Sequence, residues 1–168
     1  FKTLKELLSL KELRKRAGKK YDWVLVEEYI PGNEVAMEGI VSEGKLNVLA
    51  VFDKPEPLVG PTFEETIFVT PTVLSEKIQY SLFETVQIVI NALGIVKGPI
   101  HAEVRFNSSG SYVLECASRS IGGLCSKVLK FQGGMSLEEL ILRSYLGRNI
   151  EKAKLTGNAR GVMMMPTE

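Results

Sequence analysis

Residues Gly98–Gly123 read GPIHAEVRFNSSGSYVLECASRSIGG, and this run decides the fold. Ile100–Asn107 and Ser111–Ala117 alternate in character and are rich in β-forming residues, which predicts two antiparallel strands. Ser108-Ser109-Gly110 between them fits a three-residue hairpin loop, with Gly110 in the left-handed region. That loop sets Asn107 opposite Ser111. Ala102 against Cys116, Val104 against Leu114 and Phe106 against Tyr112 then form an apolar face for the core. The other face carries Arg105 against Val113, Glu103 against Glu115 and His101 against Ala117.

The opposed carboxylates matter most. Directly opposite Cβ atoms in such a pair lie ~4.5–5.5 Å apart, and like charges there repel, so something positive is required between Glu103 and Glu115. Hard divalent cations prefer carboxylate oxygens, and Mg²⁺ is commonly held by one or two acids plus substrate phosphates. Solvated acids neutralised by Arg105 and Arg119 explain the same pattern, and the spacing alone leaves both explanations open. A loop one residue longer or shorter puts the two acids on opposite faces. Arg119 and then Gly122-Gly123 follow closely, and this favours a polyphosphate: Arg offers forked donors and Gly lets backbone approach.

This run resembles the C-terminal catalytic half of the ATP-grasp superfamily, in which an H-x-E strand and a strand ending E-x-N-x-R or E-x-x-x-R supply metal-binding acids and a phosphate-binding Arg. Glu103, Glu115 and Arg119 fall on those positions. Ala117 stands where many members carry a further metal-binding Asn; that Asn is also replaced in amino-acid-ligase-like branches, which the chain resembles. Upstream, VEEYIPGNE (residues 26–34) is similar to the family's adenine hinge and ribose site. The resemblance implies that Glu27 approaches the adenine amino group. It further implies that Glu28, Tyr29 and Ile30 present backbone to the purine, and that Glu34 holds the ribose. Without it, this stretch is an ordinary strand with exposed glutamates at its end. Lys54, in Asp53-Lys54-Pro55, is a candidate for a phosphate or substrate carboxylate, with an exposed turn lysine as the alternative. His101, the single histidine, is a candidate ligand for the same groups or a structural partner of a carboxylate. Glu38 reads as strand surface.

Composition bounds the rest. The chain has 168 residues, enough for one domain with a real core. A net charge of +1 implies no broad basic surface for nucleic acid. No apolar run approaches the ~20 residues of a membrane span, and no signal-peptide pattern opens the chain. Cys116 and Cys125 do not form a C-x-x-C pair; buried structural thiols and a reducing, cytoplasmic setting are the expectation.

Along the chain, Thr3–Arg16 predicts an amphipathic helix with a Thr3/Glu6 capping box, and Trp23–Ile30 a strand. Val35–Val41 and Leu46–Phe52 predict a hairpin. Residues 56–71 read as a proline-rich loop in which Glu64 and Glu65 have no assigned role. Ser75–Leu93 is the strongest helix, with Ile78, Leu82, Val86, Val89, Ile90 and Leu93 as its apolar stripe and Gly94 at its stop. Leu124–Phe131 reads as helical. Ser136–Leu146 is a second clear helix with a Ser136/Glu139 capping box, and Gly157–Met165 begins another strand.

The fold expected is α+β: a mainly antiparallel sheet with packed helices, forming part of an ATP-grasp domain. Its N-terminal lobe, with the glycine-rich phosphate loop and a lysine, is expected on other parts of a longer chain. What the resemblance implies is an ATP- and Mg²⁺-dependent ligase, with Mn²⁺ able to substitute. It would activate a small carboxylate as an acylphosphate and pass it to an amine or similar nucleophile. A carboxylase acting on bicarbonate and a non-catalytic nucleotide-binding or structural domain are the alternatives. The substrates and the oligomeric state are not legible in the sequence.

Overall fold

The computed structural model describes residues 25–56, 65–150 and 153–165. Among these residues six strands form one antiparallel sheet in the order β5-β4-β1-β2-β3-β6. They are β1 (Asn33–Ser42), β2 (Lys45–Asp53), β3 (Ile67–Thr70), β4 (Lys97–Asn107), β5 (Gly110–Ala117) and β6 (Arg160–Met163). Three α-helices accompany them among the described residues: α1 (Glu76–Ala92), α2 (Cys125–Val128) and α3 (Leu137–Tyr145). The α+β architecture read from the sequence is therefore present. The helix expected over Thr3–Arg16, with Trp23 and Glu64, lies outside the described residues.

β1 is the organising strand, buried from Glu34 to Val41 because both faces of the sheet are covered. On one face Val35, Met37, Val41, Ala102 and Val104 pack against Leu82, Val86 and Ile90 of α1. This is the predicted stripe, although Leu93 at its end is 59% exposed. On the other face Ala36, Ile40 and Phe52 pack against Ile121, Cys125, Leu129, Phe131, Leu137 and Leu140. Residues 121–150, with Ala153 and Leu155, thus form a lid over part of that face, and the two faces are decided by strand parity.

The hairpin between β1 and β2 turns through Glu43 and Gly44, both at positive φ, as a two-residue turn matched to strand twist requires. α3 begins as predicted, its N-cap Ser136 side chain accepting the Glu139 N–H. Several expectations are corrected. Residues 25–30 form no strand; they have no sheet partner among the described residues, and Leu25 and Val26 are 75% and 86% exposed. Strand-type composition needs a neighbouring edge before it becomes a strand. β3 lies in what reads as a loop, because a four-residue strand is too short to show alternation. α2 is only four residues long.

The decisive hairpin is also corrected in detail. Asn107 pairs with Gly110, not Ser111, so the loop is Ser108-Ser109 alone. The Asn107 side chain tightens it by accepting the Ser109 N–H at 2.8 Å. Phe106 consequently faces Ser111, Arg105 faces Tyr112, and Val104 faces Val113. A β-bulge then absorbs one extra residue, Leu114, and restores the predicted pairs Glu103–Glu115, Ala102–Cys116 and His101–Ala117. Val113, assigned to the polar face, packs on the α1 side, while Tyr112 and Leu114, assigned to the core, are partly exposed.

α1 offers a direct check. Leu82→Ala, at a fully buried position, is predicted to cost about 2–5 kcal/mol in denaturant unfolding. Ile88→Ala on the exposed side of the same helix should change stability by less than about 0.5 kcal/mol.

Candidate functional site

Four residues apart on β1 stand Glu34 and Glu38; four apart on β4 stand His101 and Arg105. Antiparallel pairing sets Glu34 opposite Arg105 and Glu38 opposite His101, with Ala36 opposite Glu103. All of these point to the face partly covered by residues 121–150, so each charge is taken out of water together with its partner. Burying unpaired charge is costly, and here the pairing is complete.

The Arg105 Nε donates to Glu34 Oε2 at 2.7 Å, and its Nη1 donates to the Ile30 carbonyl at 2.9 Å. Lys54, 8% exposed at the end of β2, donates to Glu34 Oε1 at 2.7 Å, lies 3.1 Å from Glu103, and also bonds Glu65. Its cationic end sits 5.3 Å from the centre of the Phe68 ring. His101 bonds Glu38 through Nδ1 and lies 3.5 Å from Glu103 through Nε2. The second oxygen of Glu38 accepts the Ile121 N–H at 2.9 Å, which ties the lid to the sheet. Glu38, read as strand surface, is 1% exposed and is a keystone of this network.

Protonation follows from these contacts. Burial alone would lower the His101 pKa, but Glu103 and Glu38 on its two nitrogens outweigh burial and raise it to about 9. The ring is therefore an imidazolium at neutral pH, with both N–H groups facing carboxylates. Burial opposes ionisation of Glu103, yet His101 and Lys54 prevail and bring it down to about 2. Burial raises the pKa of Glu65 against the pull of Lys54. Lys54 itself is raised, since Glu34 and Glu65 overcome its desolvation.

Beside this network lies an open cleft of ≈ 440 Å³, bounded on one side by Glu27, Glu28, Tyr29 and Ile30. Glu34, Glu65, Glu103 and Arg105 contribute to it as well, with Val113 and Leu114 from β5. Most sequence-predicted site residues are thus brought together. Four are arranged differently. Lys54 lies beneath the cleft as the cation among Glu34, Glu65 and Glu103, and is no exposed turn lysine. His101 lies behind Glu103, engaged with Glu38. Glu115 and Arg119 are 3.7 Å from each other, with side chains 60% and 55% exposed. Glu34 meets the cleft with one oxygen engaged by Lys54 and the other by Arg105.

Carboxylate oxygens of Glu34, Glu65 and Glu103 lie within 4.8 Å of one another around the Lys54 ammonium, and Glu115 stands opposite Glu103 across the hairpin; carboxylate oxygens are the donor type a hard divalent cation takes. Sequence reasoning missed Glu65, Arg105, Glu38 and Leu114. The matched spacing of Glu34/Glu38 with His101/Arg105 on pairable strands is a signal for two of them. Leu114 reaches the cleft only because of the bulge.

An open, acid-edged cleft between an extended segment and a buried ionic network, on an antiparallel sheet with helices on both faces, has the concave form of a small-molecule site. The chain belongs to the ATP-grasp domain family, whose model matches residues 2–128. It is 27% identical over 126 residues to the alanine–anticapsin ligase of Bacillus subtilis (strain 168), covering 74% of this chain and 26% of that protein. The solved L-amino acid ligase from Bacillus licheniformis superposes with a TM-score of 0.71 at 28% identity, over 83% of this chain and 37% of that one. Phosphoribosylglycinamide synthetase from Anaerococcus prevotii, at 16% identity and a TM-score of 0.66 over 82% of this chain and 36% of that one, shares the fold. The chain thus spans about a quarter of the length of the curated relatives. No helix among the described residues is long and apolar enough to cross a membrane.

The His101 pairing predicts a pH signature in metal-free protein. A pKa raised from the ordinary 6.5 to about 9 gives stability that is full below pH 6.5 and is lost as pH rises towards 9. Denaturant unfolding from pH 6 to 9.5 should show this decline in the wild type and a flatter profile in His101→Gln. Parallel profiles would contradict the imidazolium assignment.

Proposed function

We propose that the intact protein is an ATP- and Mg²⁺-dependent ligase that activates a small carboxylate as an acylphosphate and joins it to an amine. The observation that carries this reading is the convergence of Glu27–Ile30, Glu34 and Glu103 on one cleft. The similarity to two ligases, an alanine–anticapsin ligase and an L-amino acid ligase, supports amino acids as the substrate class. A reducing, cytoplasmic setting goes with this reading and is compatible with the free thiols of Cys116 and Cys125.

Phosphoryl transfer needs positioning and charge neutralisation more than covalent chemistry from the protein. In this reading Glu28–Ile30 lie along the purine, with Leu114 supplying apolar cover. Glu27 faces the purine's amino group and Glu34 is directed towards the ribose. Glu103 and Glu115 would hold Mg²⁺, which supplies charge neutralisation at the phosphates when bound; Mn²⁺ offers the same chemistry. Arg119, two residues past the end of β5 and with its side chain 55% exposed, would turn its fork from Glu115 onto the transferred group and offset its charge. Lys54 and His101 keep Glu103 ionised and correctly aimed. The remaining lobes of a longer chain would supply a phosphate loop, a second lysine and the substrate contacts.

In the intact protein, Glu103→Gln and Glu115→Gln are each predicted to lower amino-acid-dependent phosphate release from ATP by at least about 10²-fold. Glu115→Gln should leave thermal stability unchanged, because that side chain is exposed. Glu103→Gln should also lower it, since Lys54 and His101 lose a partner. Undiminished phosphate release in both variants would sink the metal assignment.

A further inference from the structure

The near wall of the cleft has an unusual support. Residues 25–30 belong to no strand, and Tyr29 is 58% exposed, yet this segment edges the cleft. We propose that Arg105 is a positioning residue, a clip that sets the shape of the Tyr29–Glu34 segment and so the orientation of the groups it presents to a nucleotide. This rests on the nucleotide reading above.

One buried guanidinium, 6% exposed, reaches three points of that segment. Nη1 donates to the Ile30 carbonyl at 2.9 Å, Nε donates to Glu34 at 2.7 Å, and the guanidinium carbon stands 5.2 Å from the centre of the Tyr29 ring. Its two neighbours along β4 extend the attachment. Asn107 Nδ2 donates to the Pro31 carbonyl at 2.6 Å. Gly32, at φ +142°, lies so close that an added Cβ would stand 2.3 Å from the Phe106 carbonyl oxygen. Residues 105–107 therefore bolt down residues 30–32, while residues 25–29 continue outward without a strand partner among the described residues.

A carbonyl bonded to Arg105 fixes the Ile30–Pro31 peptide plane, and with it the direction in which the preceding donors and acceptors face. Only a planar fork with several N–H groups can serve a carboxylate, a carbonyl and a ring face together; a lysine ammonium in the same place is a point charge. The function asked of Arg105 is preorganisation, which lowers the ordering cost of binding.

The test uses the intact protein and Arg105→Lys, with Asn107→Ala as the comparison that removes the tether to the Pro31 carbonyl, together with the Asn107 bond to the Ser109 N–H in the turn. Amide hydrogen exchange is measured without nucleotide, and affinity is measured for a non-hydrolysable ATP analogue with Mg²⁺. In Arg105→Lys, exchange should quicken locally over residues 28–32 and analogue affinity should fall about tenfold. KM for ATP should rise while KM for the carboxylate substrate stays level. Asn107→Ala should change affinity by less than about twofold. Should Arg105→Lys fail to fold, Tyr29→Leu decides through the same two measurements. It keeps the buried ion pairs, removes the ring from the clip, and should weaken the analogue two- to fivefold. Unchanged affinity in a folded Arg105→Lys, despite looser exchange, would overturn the positioning role and leave the nucleotide reading standing. Absence of analogue binding by the wild type would overturn both.

Discussion

Lys54 is the charge on which the rest of the site depends. Its ammonium is withdrawn from water and shared by carboxylates from β1, from β4 and from Glu65 just before β3. Burial disfavours charge on Glu65 and Glu103, and the Lys54 ammonium works against that at both. Removing Lys54 would leave acids facing one another in a poorly solvated space. The same grouping ties together the end of β2, two central strands and the entrance to β3, so packing and chemistry rest on one set of contacts.

From that point the network runs in two directions. Towards the lid it passes from Glu103 through His101 to Glu38 and the Ile121 N–H. Towards the cleft's outer wall it passes from Glu34 through Arg105 to Ile30 and Tyr29. Three cations, Lys54, His101 and Arg105, face Glu34, Glu38, Glu65 and Glu103. The network is therefore close to balanced while still presenting ionised carboxylate oxygen at the cleft.

The sequence was legible wherever a pattern was local. α1 and α3 follow from their apolar periodicity and stops, the β1–β2 hairpin from its Glu-Gly turn, and the β4–β5 hairpin from alternation. Glu27–Ile30, Glu34 and Glu103 could be singled out because motif spacing survives in one dimension. What escaped was set by neighbours. Glu38 looked like surface because alternation cannot say that residues 121–150 cover its face. Residues 25–30 looked like a strand because composition cannot say whether an edge is available. The hairpin register came out right at Glu103 for a reason the loop did not reveal: a shorter turn and the bulge at Leu114 offset each other. Glu65 and Lys54 are distant in pattern and meet only in the fold.

The most direct measurement is a calorimetric titration of the intact protein with a non-hydrolysable ATP analogue, run with and without Mg²⁺ and paired with exchange protection mapped on residues 27–34. If the cleft beside Lys54 is the nucleotide site, binding should strengthen markedly with Mg²⁺ and protect the Glu27–Glu34 segment. Binding indifferent to Mg²⁺, or protection confined to other parts of the chain, would contradict it.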